Sequence, residues 1–214
     1  MDPRQTHATV GDRWTAPGAG EHYAGGRWRS SRAAGRDPRL VRRALLRHAR
    51  GLRLERVLDV PCGAGRLRPV LEGTGASTVG VDVSPEMLAA APAGLRIQAS
   101  AWALPFADRS FDAVVCCRLL HHVASDDERA GLLGELVRVS RGLVLVSFWD
   151  SSSWHAWRRR AGLRRATHPD TRVALERRTL ERLIEGAGAR VLGFEHSLRF
   201  VSQQAFAIAR READ

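Results

Sequence analysis

Two carboxylates and a pair of glycines stand at spacings that could hold a charged nucleoside. Asp59 lies in the apolar run Val57-Leu58-Asp59-Val60, and Pro61-Cys62-Gly63-Ala64-Gly65-Arg66-Leu67 follows it. A strand, a tight glycine turn and a helix start bring backbone N–H groups close to a ligand, because glycine has no Cβ to hold the ligand off. Asp82 ends the next apolar run, seventeen residues after Gly65. A carboxylate at such a strand tip can accept both hydroxyls of a ribose.

Rival ligands fit these residues less well. A dinucleotide fingerprint wants a third small residue where this chain has Arg68. A pyrophosphate would also be repelled by Asp59, whereas a ligand carrying an ammonium group there would be attracted. The Gly-Lys-Ser/Thr of a phosphate loop is absent. Gly63 and Gly65 alone would suit an ordinary sheet core; their spacing to both acids is what sets them apart.

The chain resembles the class I S-adenosylmethionine-dependent methyltransferases over roughly residues 40–210. The resemblance rests on VLDVPCGAGRL at 57–67, VGVDVSPEML at 79–88, ALPFADRSFDAVVCCRLLHHV at 103–123 and GLVLVSF at 142–148. The third of these looks most like the branch that includes quinone-biosynthesis and many small-molecule enzymes. The resemblance implies S-adenosyl-L-methionine as cofactor, no metal, and a Rossmann-like seven-stranded sheet whose last strand is antiparallel.

Carried onto this sequence, the resemblance implies that Asp59, Pro61, Gly63 and Gly65 hold the methionine end of the cofactor. Asp82 would bind the ribose, and Val83 and Met87 would pack on the adenine. Ser100, Ala101 and Trp102 would meet the adenine edge, with Cys117 and Arg118 near the methionine moiety. Two departures stand out. Pro61 replaces the first glycine of the loop, and Ser100 replaces the usual aspartate, which removes charge assistance of about 1 kcal/mol from one hydrogen bond.

Methyl transfer from a sulfonium needs alignment and water exclusion first, and a general base only for weakly acidic acceptors. His121 and His122 are the candidate bases. Successive residues there cannot both face the pocket, so only one of the two is expected to reach it. His155, His168 and His196 are isolated, and Ser147 and Ser151 to Ser153 lack the context of a nucleophile elbow.

The elements that must position these residues are legible as alternation. Apolar runs at 56–60, 77–81, 95–99, 112–117 and 142–148 alternate with helical patterns. This argues for βαβ units and an α/β, doubly wound, mostly parallel sheet with helices on both faces. Ser125 with Glu128 reads as a capping box for a helix carrying Leu132, Leu133, Leu136 and Val137. Asp37-Pro38 reads as a helix N-cap followed by proline. The segments 190–200 and 203–209, joined by a short link, read as an antiparallel pair.

Residues 1–36 read as a flexible arm and 37–214 as a single methyltransferase domain. Tyr23, Arg27 and Trp28 in the arm, and the stretch 154–165, are where acceptor contacts are expected. In a helix, Trp154, Trp157 and Ala161 share one face, read as core-packing with a solvated basic side; the alternative is a lid on an anionic or aromatic acceptor.

The 214 residues carry a net charge of +11, and all 34 basic residues are arginine. Thirteen arginines against five acids (+8) in 1–56 and thirteen against seven (+6) in 151–214 flank a middle with eight against eleven (−3). Such flanks could attract anionic substrates or RNA. An RNA-modifying enzyme is therefore an alternative to the preferred small-molecule methyltransferase, although residues 118–123 read RLLHHV and not the motif of base N-methylating enzymes. A catalytically silent module with a degraded pocket is the third reading. Three cysteines without C-x-x-C spacing and no long apolar stretch lead us to expect a cytoplasmic protein with buried thiols, a monomer or weak homodimer.

Overall fold

The computed structural model describes residues 35–160, 173–198 and 200–212. Helix α1 (Arg36–His48) precedes β1 (Arg56–Asp59), α2 (Arg68–Glu72), β2 (Ser77–Asp82), α3 (Pro85–Ala90) and β3 (Arg96–Gln98). Strand β4 (Phe111–Cys116), a 3-10 turn (Leu120–His122), α4 (Asp126–Val139) and β5 (Ser140–Trp149) follow. The chain continues through α5 (Trp154–Arg160), α6 (Arg177–Gly186), β6 (Ala189–His196) and β7 (Gln204–Arg211).

The seven strands form one sheet in the order β3-β2-β1-β4-β5-β7-β6. Strands β1 to β5 pair in parallel, and β7 is antiparallel to both of its neighbours, β5 and β6. The expected last antiparallel strand is thus present, inserted between β5 and β6. Strand order reverses between β1 and β4, so the carboxyl ends of these two strands flank the crevice that such sheets offer to ligands.

Strand alternation divides the core into two layers. Leu58, Val114 and Val144 face α4 and α6 through Leu132, Leu136, Leu180 and Ile184. Val57, Val115 and Leu145 face the other way, toward Leu40, Val41 and Leu45 of α1. Residues buried on both sheet faces explain why the central strands read as continuous apolar runs. Cys116 and Cys117 part to opposite layers for the same reason, and all three cysteines are buried and unbridged.

Local signals hold where a side chain serves the backbone beside it. The Ser125–Glu128 capping box is formed in both directions, and Ser84 Oγ accepts the Met87 N–H at 3.3 Å to cap α3. Asp37 departs from expectation. The N-cap position of α1 is Gly35, and Asp37 lies inside the first turn with its carboxylate drawn to distant arginines. The arm at 1–34 lies outside the described residues, while Arg36 is already helical.

Helix α5 also corrects the sequence reading. Trp154 and Trp157 do share a face, with ring centroids 4.6 Å apart, but that face is exposed (51% and 47%) and Ala156 is the buried residue. Continuation toward residue 165 lies outside the described residues. Among the described residues, no helix is long and apolar enough to cross a membrane.

Candidate functional site

The parallel register of β1 and β2 sets Asp59 opposite Gly80, so Asp82 stands one step beyond, at the same end of the sheet. The loop from Pro61 to Leu67 crosses between them. The Cys62 N–H donates to the Val81 carbonyl at 2.8 Å, which fastens the loop to β2. Gly63 and Gly65 take positive φ values of 52° and 72°. At Gly65 a Cβ would lie 2.7 Å from Pro92 Cδ, so the turn also needs glycine for lack of space.

Asp82 is held by backbone. Its Oδ2 accepts the Gly63 N–H at 2.8 Å and its Oδ1 the Ser84 N–H at 2.9 Å. Burial lifts its pKa, against these lowering hydrogen bonds. Asp59 is buried and its Oδ1 has no hydrogen-bond partner among the described residues. Burial first, and the charge of Asp82 second, push its pKa up to about 8, with Arg66 and Arg68 pulling the other way. A protonated or cation-seeking carboxyl therefore sits beside a fixed carboxylate at the mouth of a glycine turn.

The remaining expected residues fall into two groups. Val83 follows Asp82 with its side chain exposed, while Met87 is buried on α3. Ser100 Oγ accepts the Trp102 N–H at 3.2 Å, and the Trp102 ring turns away to α4, donating from Nε1 to the Glu128 carbonyl at 2.9 Å. Only backbone of the 100–102 turn is thus presented at the tip of β3. Cys117 packs into the layer under α1, with its thiol pushed up to about 12 by burial.

Arg118 adopts a left-handed backbone (φ 67°), and its N–H donates to the buried Ser147 Oγ at 2.6 Å. Its Nε reaches Asp37 at 2.7 Å, and Arg66 Nη2 reaches the same Asp37 oxygen at 2.7 Å. Sequence reasoning missed this trio. Nothing local announces it, because an acid in a first helical turn is ordinary. Through its bond to the Arg118 N–H, Ser147 braces the turn after β4.

Leu120–His122 form a 3-10 turn, and the two imidazole rings lie 4.3 Å apart. His121 is buried and lies parallel to Trp149 at 4.9 Å, while His122 is half-buried beside it. His196 is on β6, and His155 and His168 have no described side chains. Among the described residues, no group of three or more His, Cys, Asp or Glu side chains is placed to hold a metal ion.

Residues 58–146 match the family described as "Methyltransferase domain". A ubiquinone biosynthesis O-methyltransferase of Azorhizobium caulinodans is 37% identical over 122 residues, which are 50% of this chain and 48% of that protein. An uncharacterised protein of Mycobacterium bovis is 39% identical over 104 residues, 44% of this chain and 37% of its own length. The chain thus spans about half or less of the length of these relatives. Among solved structures, magnesium protoporphyrin IX methyltransferase of Synechocystis with bound S-adenosylhomocysteine superposes with a TM-score of 0.72. That match covers 95% of this chain and 99% of the other at 18% identity, a likeness of fold.

Proposed function

We propose that this chain, whose residues 58–146 belong to the methyltransferase domain family and whose fold is that of the class I S-adenosylmethionine-dependent enzymes, transfers a methyl group from S-adenosylmethionine to a small-molecule acceptor. The observation that carries this reading is the pair of acids around the glycine loop. The donor bears an ammonium group and a ribose, and Asp59 offers a buried, partnerless carboxyl oxygen beside the loop while Asp82 stands at the tip of the next strand. The residues present fit that group.

When bound, the donor supplies a methyl carbon on a positive sulfur, already activated for displacement. The chain's own work is to hold and to exclude. Asp59, as a carboxylate, would hold the ammonium group, and Asp82 would accept from the ribose hydroxyls. Val83 and the 100–102 backbone frame the base. Gly63 and Gly65 keep the loop low enough for close approach. Alignment and water exclusion are the main sources of rate.

On the acceptor side, His122 is the group we assign to holding or taking a proton when the acceptor is a hydroxyl or ammonium. His121 serves as its packing support on Trp149. The exposed Trp154–Trp157 pair follows the carboxyl end of β5 and suits an aromatic or apolar acceptor. A small-molecule acceptor accords with the names of two of the similar proteins, the ubiquinone biosynthesis O-methyltransferase and the magnesium protoporphyrin IX methyltransferase.

Isothermal titration with S-adenosylmethionine tests the donor site, and absence of heat at millimolar donor would sink it. Transfer of labelled methyl to a cell extract, fractionated into small molecules, RNA and protein, then tests the acceptor class. Label in RNA alone would replace the small-molecule reading.

A further inference from the structure

Helix α1 lies across the sheet as a strut with both ends tied. Near its carboxyl end, Arg43 and Arg47 pair with the buried Glu195 of β6 at 2.6 and 2.8 Å. Its apolar face, Leu40, Val41, Ala44 and Leu45, is buried against the sheet. Its first turn carries Asp37, fully buried, whose Oδ2 accepts from both Arg66 and Arg118 at 2.7 Å.

The placement of those two arginines matters. Arg66 directly follows Gly65 in the loop after β1, and Arg118 belongs to the turn after β4. These are the two strands between which the sheet order reverses. One carboxylate oxygen therefore joins the two walls of the crevice. On the β4 side the tie continues through the Arg118 N–H to Ser147 Oγ, in a left-handed backbone that is uncommon for a non-glycine residue.

We propose that Asp37 is a positioning residue that sets the spacing of the glycine loop and the turn after β4, and through it the affinity for the methyl donor. The donor part of this statement rests on the proposed function; the clamp itself does not. Two guanidiniums brought together from separate loops repel unless an acid lies between them. Loss of the Asp37 charge would remove the tie that the two walls share.

The test uses the full chain with Asp37→Asn and Asp37→Glu. In Asp37→Asn, amide hydrogen exchange in peptides covering 61–67 and 117–122 should rise together by about tenfold. Affinity for S-adenosylhomocysteine should weaken by about the same factor, and Asp37→Glu should recover part of both. Exchange that rises only within α1 would overturn the clamp; loops that loosen while donor affinity stays unchanged would overturn its role in donor binding. If Asp37→Asn fails to fold, Arg118→Gln should loosen 117–122 while 61–67 stays held through Arg66; loosening of neither would overturn the proposal. If the unaltered protein gives no heat with donor, the function reading falls and the exchange data alone decide the clamp.

Discussion

Asp59 and Asp82 end neighbouring parallel strands, and the negative charge of Asp82 is one of the causes that raise the pKa of Asp59. Asp82 has backbone N–H groups on both carboxylate oxygens, while Asp59 Oδ1 has none. The asymmetry gives each acid a separate behaviour.

The stability of the protein should therefore fall as pH rises toward and through about 8. The folded pKa of Asp59 is raised to about 8, well above its unfolded value, so the folded state binds the extra proton in between. The stabilising contribution is full below the unfolded value and is lost as pH passes the folded one. Asp59→Asn should narrow the fall in thermal midpoint between about pH 5 and about pH 9 by roughly 2–4 °C. In the unaltered protein, donor binding at neutral pH should release a proton from Asp59. Calorimetric heats that do not differ between buffers of unlike ionisation enthalpy would contradict it.

Replacing Ser100 should strengthen the donor site. Ser100 Oγ is engaged by the Trp102 N–H at 3.2 Å, and a carboxylate there could hold that amide with one oxygen and face the adenine amino group with the other. Ser100→Asp is expected to tighten donor binding by about fivefold to tenfold, read by titration. A weaker or equal constant would place the adenine elsewhere.

Gly65 is the loop position least tolerant of a side chain. Gly65→Ala meets Pro92 Cδ at 2.7 Å and Ala91 Cβ at 3.3 Å, at φ +72°. The strain of the left-handed backbone and the clash together should cost about 2–4 kcal/mol in urea unfolding. Donor affinity should fall in parallel. Full stability with intact binding would mean that the turn can relax.

The two histidines should separate by kind of effect. His121→Leu removes the parallel stack on Trp149 and should cost about 1 kcal/mol of stability while leaving the pH profile of turnover in place. His122→Gln should lower kcat and remove one limb of that profile, with donor affinity unchanged. An unaltered profile in His122→Gln would show that the acceptor needs no base from this turn.

Much of this was legible along the chain because the interactions involved are short in sequence. The capping box joins residues three apart, and the glycine turn is demanded within a few positions. The two-layer core follows from period-2 alternation in β1, β4 and β5, which sends Val57 and Leu58, or Cys116 and Cys117, to opposite sides of the sheet. The acids Asp59 and Asp82 could be paired by counting because parallel strands joined by one short helix must end at the same edge.

Tertiary structure alone decided the partners of charged groups and the direction of faces that pattern leaves ambiguous. Asp37 looks like a cap when only its neighbours are known; its actual partner Arg118 is 81 residues away, reached because α1 lies over the end of β4. Trp154 and Trp157 share a helical face by spacing, yet it is Ala156 that meets the core. Periodicity states that residues go together; where they go is set by the packing of the other elements, whose volume and charge no local window contains.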